Sequence, residues 1–69
     1  MNMSITGFLV RAFDQSGRLM CEERWADVVE ADGFAAGLHV QYKCDAWIND
    51  VQIFSHLKPN QRLVPGVID

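Results

Sequence analysis

The chain has 69 residues, 49% of them hydrophobic and 22% charged, with a net charge of −3. That length allows one domain at most, and the apolar content excludes wholesale disorder. The six basic residues, Arg11, Arg18, Arg24, Lys43, Lys58 and Arg62, are scattered, whereas nucleic-acid binding calls for a basic stripe or patch.

A chain this small buries only about 60% of the surface its unfolded form exposes. Its stability must come from close packing, covalent links, a metal or a partner. No apolar run reaches the ~18 residues of a membrane span. The N-terminal MNMSITGFLV has no basic segment ahead of its apolar residues, so a cytoplasmic setting is expected.

ITGFLVRAF, residues 5–13, reads as a strand with two apolar faces. Alternation places Phe8, Val10 and Ala12 on one face and Ile5, Leu9 and Phe13 on the other. Asp14, Ser16 and Gly17 then form a hairpin turn, and RLMCEERW, residues 18–25, returns as a second strand. A four-residue loop would set Ala12 opposite Leu19, Val10 opposite Cys21 and Phe8 opposite Glu23. A three-residue loop would bring Arg11 opposite Cys21 and bury an unpaired guanidinium, so the first register is expected.

Asp27 followed by Glu30 is a capping-box pattern, and it predicts a helix from Val28 to near Tyr42. At 100° per residue, Val28, Ala31, Phe34, Ala35, Leu38 and Tyr42 share one arc, the expected core face. Val29, Gly33, Ala36, Gly37 and Val40 share a second, nearly opposite arc of small residues. Each glycine costs about 1 kcal/mol in a helix relative to alanine. Two of them spaced by four on one face suggest a surface approached by another backbone; the alternative is a thin, exposed helix face. His39 falls on a polar strip, where a solvated imidazole is expected.

DAWINDVQIFSH, residues 45–56, is rich in strand-forming side chains, and residues 46–56 are read as a third strand with Asn49-Asp50 as a bulge or tight turn. A helix with Trp47, Val51 and Phe54 on one side fits the spacing too. KPNQ is a turn, and RLVPGVID is expected either to add an edge strand or to lie across the uncovered sheet face. The expected fold is α+β: ββαβ, a small antiparallel three-stranded sheet with one helix packed on one face and an irregular C-terminal tail. It is a single domain over residues 1–69, with its core in 5–56 and the tail in 57–69.

Cys21 and Cys44 form no C-x-x-C pair and read as reduced, mostly buried thiols. With His39 and His56 they make a formal Cys2His2 set, but without the close ligand pairs of zinc modules. No metal or cofactor is expected. Ser55 and His56 are sequence neighbours, which point to opposite sides of a strand and so form no dyad. No nucleophile elbow or phosphate-cradling loop is present, and the expectation is that the chain is not an enzyme.

Five carboxylates fall within the eleven residues from Glu22 to Asp32. Asp27 and Glu30 have a capping role; Glu22, Glu23 and Asp32 are the candidates for steering the protein onto a basic surface. The candidate protein-binding residues are therefore Val29, Gly33, Ala36, Gly37 and Val40, with Glu22, Glu23 and Asp32.

In size and layout, residues 5–54, FLVRAF-DQSG-RLMCEERW followed by DVVEADGFAAGL, resemble small phage- or prophage-encoded proteins that disable a host machine. These include anti-CRISPR proteins and small inhibitors of host RNA polymerase. The resemblance is one of form and carries no motif. It implies an inhibitor in the host cytoplasm that occludes a site on a host protein or multi-subunit complex. The alternative is a homodimeric structural or regulatory accessory protein.

Overall fold

The computed structural model describes residues 7–64. Its elements follow in the order β1 (Phe8–Phe13), β2 (Leu19–Trp25), α1 (Val28–Tyr42), β3 (Asp45–Ile48) and β4 (Val51–Phe54). The strands form one antiparallel sheet in the order β2-β1-β3-β4. The fold is α+β, with four strands where three were expected.

The extra strand comes from Asn49-Asp50. These residues form a two-residue turn, because Ile48 and Val51 pair directly across it. Asn49 adopts a positive φ of 55°, a conformation that asparagine tolerates better than most residues. Its amide donates to the Leu9 carbonyl at 2.7 Å, and its Oδ1 accepts from the Leu9 amide at 3.0 Å. The turn thus also continues the β1–β3 ladder. A bulge between Ala46 and Trp47 in this pairing accompanies the burial of the consecutive residues Ile53 and Phe54.

The β1–β2 register is shifted by two from the expected one. Ala12 pairs with Cys21, Val10 with Glu23 and Phe8 with Trp25. A two-residue shift preserves which side each residue faces, so Cys21 stays on the helix side. The observed register has two gains. Arg11 meets Glu22, with Nε donating to Oε2 at 2.9 Å, and Trp25 reaches Phe34, their rings 5.1 Å apart. A bulge between Ala12 and Phe13 leaves Leu19 opposite Phe13 and half-exposed, not in the core. Gly7 precedes β1 at a φ of 116°, where a Cβ would meet the Trp25 carbonyl oxygen at 2.8 Å.

The helix has the expected bounds. Asp27 caps it, its carboxylate accepting from the Glu30 amide at 3.2 Å, and Lys43 ends it in the left-handed conformation. Its buried residues are Ala31, Asp32, Ala35 and His39. At 100° per residue, that is a roll of about 50° from the expected core face. Tyr42, the last residue of the helix, is 52% exposed, outside the core where it was expected. The helix packs on Val10, Ala46, Ile48, Ile53 and Phe54, with Phe8, Trp25, Phe34, Ala36 and Val64 at the margin.

His39 explains the roll. Expected as a solvated side chain, it is 2% exposed. Its Nδ1 lies 2.8 Å from the Cys44 carbonyl oxygen, and its Nε2 lies 2.9 Å from the Asn60 amide. A carbonyl can only accept and an amide N–H can only donate, so the ring is neutral with its proton on Nδ1. Phe54 stacks on it at 4.7 Å. Two helical turns earlier, buried Asp32 accepts from Arg62, whose guanidinium lies over Phe54, 5.4 Å from the ring centroid.

The described part of the tail therefore runs along the helix side. Leu63 donates to the Ile53 carbonyl at 2.8 Å, and Val64 joins the core margin. Residues 65–68, which carried part of the expected sheet cover, lie outside the described residues, as does Ile5.

His39→Leu strands the Cys44 carbonyl and the Asn60 amide, each at a cost of about 1–3 kcal/mol. Urea unfolding should show a loss of about 2–6 kcal/mol in this variant, with far-UV circular dichroism retained below the transition. At the hairpin, Asp14 Oδ1 accepts from the Ser16 amide, the Ser16 hydroxyl and the Arg18 amide. These bonds, led by that from Arg18, hold its carboxyl below the ordinary aspartate range. A depressed carboxyl stabilises the fold above its unfolded value of about 3.9, and that contribution fades as the pH falls through the folded value. Wild-type stability should decline through this acid window more steeply than that of Asp14→Ala, as measured by urea midpoints against pH.

Candidate protein-interaction surface

Packing the helix on one side of the sheet gives the other side a distinct character. Val10, Ala12, Ala46 and Ile48 point to the helix and are buried. Their neighbours Leu9, Arg11, Phe13 and Trp47 point the opposite way and are only partly buried. Among the described residues, no element packs on that side. Arg11 faces Trp47 and Phe13 faces Asp45 across the β1–β3 pair, with Glu22 on β2 flanking Arg11.

This open face holds a groove of about 390 Å³ lined by Arg11, Phe13, Asp45, Trp47, Asn49 and Asp50. Its floor is aromatic and its rim carries charge. The Arg11–Glu22 pair sits at its edge with both side chains about two-fifths exposed (41% and 45%), so solvent screens it and its net stabilisation is small. Asp45 is held more firmly: its Oδ1 accepts from the His56 amide at 2.7 Å and lies 2.9 Å from His56 Nδ1.

The residues singled out from the sequence separate into three groups. Val29 and Val40 are 58% and 61% exposed, and Gly33 and Gly37 lie between them on the outer helix surface. Ala36 turns partly inward and packs at the core margin. Glu22 and Glu23 point to opposite sides of an edge strand, Glu22 toward Arg11 and Glu23 alongside Val10. Asp32 is buried against Arg62, and so is withdrawn from any steering role. The helix arc and the open sheet face lie on opposite sides of the molecule.

Sequence reasoning placed Leu9 and Phe13 on an uncovered face but did not add Trp47 or Asp45 to it. Reading residues 46–56 as one strand left their neighbours undefined. The Asp45–His56 pair was missed for the same reason. His56 lines a second cavity of about 320 Å³ with Gln15, His39, Val40, Lys43, Pro59 and Asn60. Among the described residues, no hydroxyl or thiol is bonded to its ring, and the pair serves to tie the turn after β4 to the start of β3. Ser55 Oγ accepts from the Leu57 amide. Burial pushes the Cys44 thiol above its ordinary pKa, away from thiolate reactivity.

No helix among the described residues is long and apolar enough to cross a membrane, and no group of three or more His, Cys, Asp or Glu among them could hold a metal ion. Comparison with known proteins finds no matching family model, curated protein or solved structure.

A Cβ added at Gly33 or Gly37 would meet nothing within 4 Å, so packing among the described residues does not require either glycine. Gly33→Ala and Gly37→Ala should each stabilise the fold by up to about 1 kcal/mol. For a domain of this size that corresponds to roughly 4–8 °C in Tm by thermal denaturation.

Proposed function

We propose that the chain is a non-enzymatic protein-binding module that lays the open face of its sheet on another protein. An inhibitor that occludes a site on a host protein complex is the form of this function suggested by the resemblance in size and layout. The observation that carries the reading is the grouping of Leu9, Phe13 and Trp47 around the Arg11–Glu22 pair, on a face no described element covers. Aromatic residues and arginine are the side chains most enriched at protein interfaces. Scattered exposed apolar residues are ordinary; Leu9, Phe13 and Trp47, each partly buried, lie together on adjacent strands as one patch, and patches mark interaction sites.

The sheet edges favour face-on contact over strand addition. Leu63 donates to the Ile53 carbonyl on β4, and Ser55 and Lys58 pair just beyond its end. The β2 edge carries Glu22, Glu23 and Arg24 together with a bulge, and charges and bulges discourage a further strand from pairing.

The test uses the immobilised protein as bait in extract of cells that express it, with binding of the retained protein then measured after purification. Leu9→Glu and Trp47→Ala should each weaken that binding by about 30-fold, as expected for hot-spot side chains worth ~2 kcal/mol. Loss through Gly37→Arg alone would transfer the site to the helix arc. A stable dimer in sedimentation that Leu9→Glu splits would replace a foreign partner with a second copy of the chain.

A further inference from the structure

The groove on the open face carries a charge that its own residues do not balance. Arg11 is the cation in its lining, and Arg11 Nε already donates to Glu22 at 2.9 Å. Two carboxylates, Asp45 and Asp50, remain beside the aromatic floor of Phe13 and Trp47. The bonds from His56 orient Asp45. Asp50 sits at the exposed β3–β4 turn. Phe13 lies diagonally from Trp47 across the β1–β3 pair, since Phe13 faces Asp45 while Arg11 faces Trp47. Such diagonal neighbours are about 7–8 Å apart, within reach of one bound side chain.

We propose that this groove receives a lysine or arginine side chain from an extended segment of the partner protein. This rests on the protein-binding reading above and specifies the chemistry of its partner. The stem or guanidinium plane lies over Trp47 and Phe13, where the ring faces attract a cation, and the charged end meets Asp45 and Asp50. The groove's 390 Å³ is in the lower part of the range for ligand-accepting clefts, which suits one long side chain. Aromatic sheet faces also stack the bases of single-stranded nucleic acids, but those sites are lined with positive charge. Here phosphates would meet two carboxylates on a chain whose net charge is −3, so a cationic protein segment is the occupant the groove favours.

The test is a titration of the ¹⁵N-labelled full chain with capped tetra-arginine, and in parallel with an oligothymidylate, followed by ¹H–¹⁵N correlation spectra. Tetra-arginine should shift the Trp47 indole N–H and the Asn49 and Asp50 amides along saturable curves. Trp47→Ala should weaken this binding by about fivefold or more, equivalent to the ~1 kcal/mol of one cation–π contact. Asp50→Lys, at an exposed turn that tolerates the change, should weaken it by a similar factor. Shifts confined to Glu23, Asp27 and Glu30 would overturn the proposal, as would saturation of Trp47 by the oligothymidylate alone or indifference to Asp50→Lys. If tetra-arginine fails while Leu9→Glu and Trp47→Ala still release the retained protein, the cationic occupant falls and the protein-binding reading stands. If tetra-arginine saturates the groove while the retained protein is indifferent to both substitutions, the site stands and the face-on reading falls.

Discussion

The fold depends on a neutral imidazole held at both ends. His39 donates from Nδ1 to the Cys44 carbonyl, accepts at Nε2 from the Asn60 amide, and stacks on Phe54. One side chain thereby joins the end of the helix, the approach to β3, the last strand and the C-terminal segment. Asp32 and Arg62 repeat the connection two helical turns earlier. These partners draw the polar strip of the helix inward and leave Val29 and Val40 on the outer surface. They also hold the described tail on the helix side of the sheet. A segment bonded there cannot simultaneously cover Leu9, Phe13 and Trp47 on the other side.

The core itself is built from small parts. Ala12, Ala31, Ala35 and Ala46 are fully buried, and short side chains at facing positions let the helix sit close to the sheet. Val10, Ile53 and Phe54 supply most of the remaining apolar volume. The larger aromatics lie elsewhere: Trp25 and Phe34 close the margin, while Phe13 and Trp47 occupy the open face. Burying a Phe or Leu side chain fully is worth roughly 1.5–3 kcal/mol, which is a large share of the stability of a domain this small. Half-buried aromatics therefore hold back apolar surface, and this links the modest core to the proposed interaction surface.

What the sequence made legible was local. The helix bounds followed from Asp27, whose carboxylate reaches the Glu30 amide three residues on, and from the apolar spacing that begins at Val28. The first hairpin followed from Asp14, Ser16 and Gly17. Its exact register did not, because a two-residue slip leaves every side chain on the same face and so leaves the alternation pattern unchanged. Arg11–Glu22 and Trp25–Phe34 choose between those registers, and both are tertiary contacts. Asn49-Asp50 was ambiguous because the two residues serve as turn or bulge equally well; the Leu9 ladder bonds decide for the turn. His39 was misread because Asn60, the donor to its Nε2, lies 21 residues away. The open face was half visible in Leu9 and Phe13, and its other half needed β3 to be placed next to β1.

The open face is also small, and that constrains how it can bind. Four strands spaced by about 4.8 Å, of four to seven residues at about 3.3 Å each, give a footprint of roughly 20 Å across and about 13–23 Å along the strands. Stable interfaces remove about 800 Å² of accessible surface from each partner. A flat footprint of this size falls short unless the partner also engages the rim, where Glu22 and Asp50 lie. The helix arc cannot make up the difference, because it faces away on the far side of the sheet. For the proposed protein-binding function, affinity on this face must therefore come from a few well-filled contacts, not from area. The groove between Phe13 and Trp47 is the place on it where one inserted side chain would be surrounded on several sides. Exchange of a single charge at its rim should then alter partner choice more than it alters the fold.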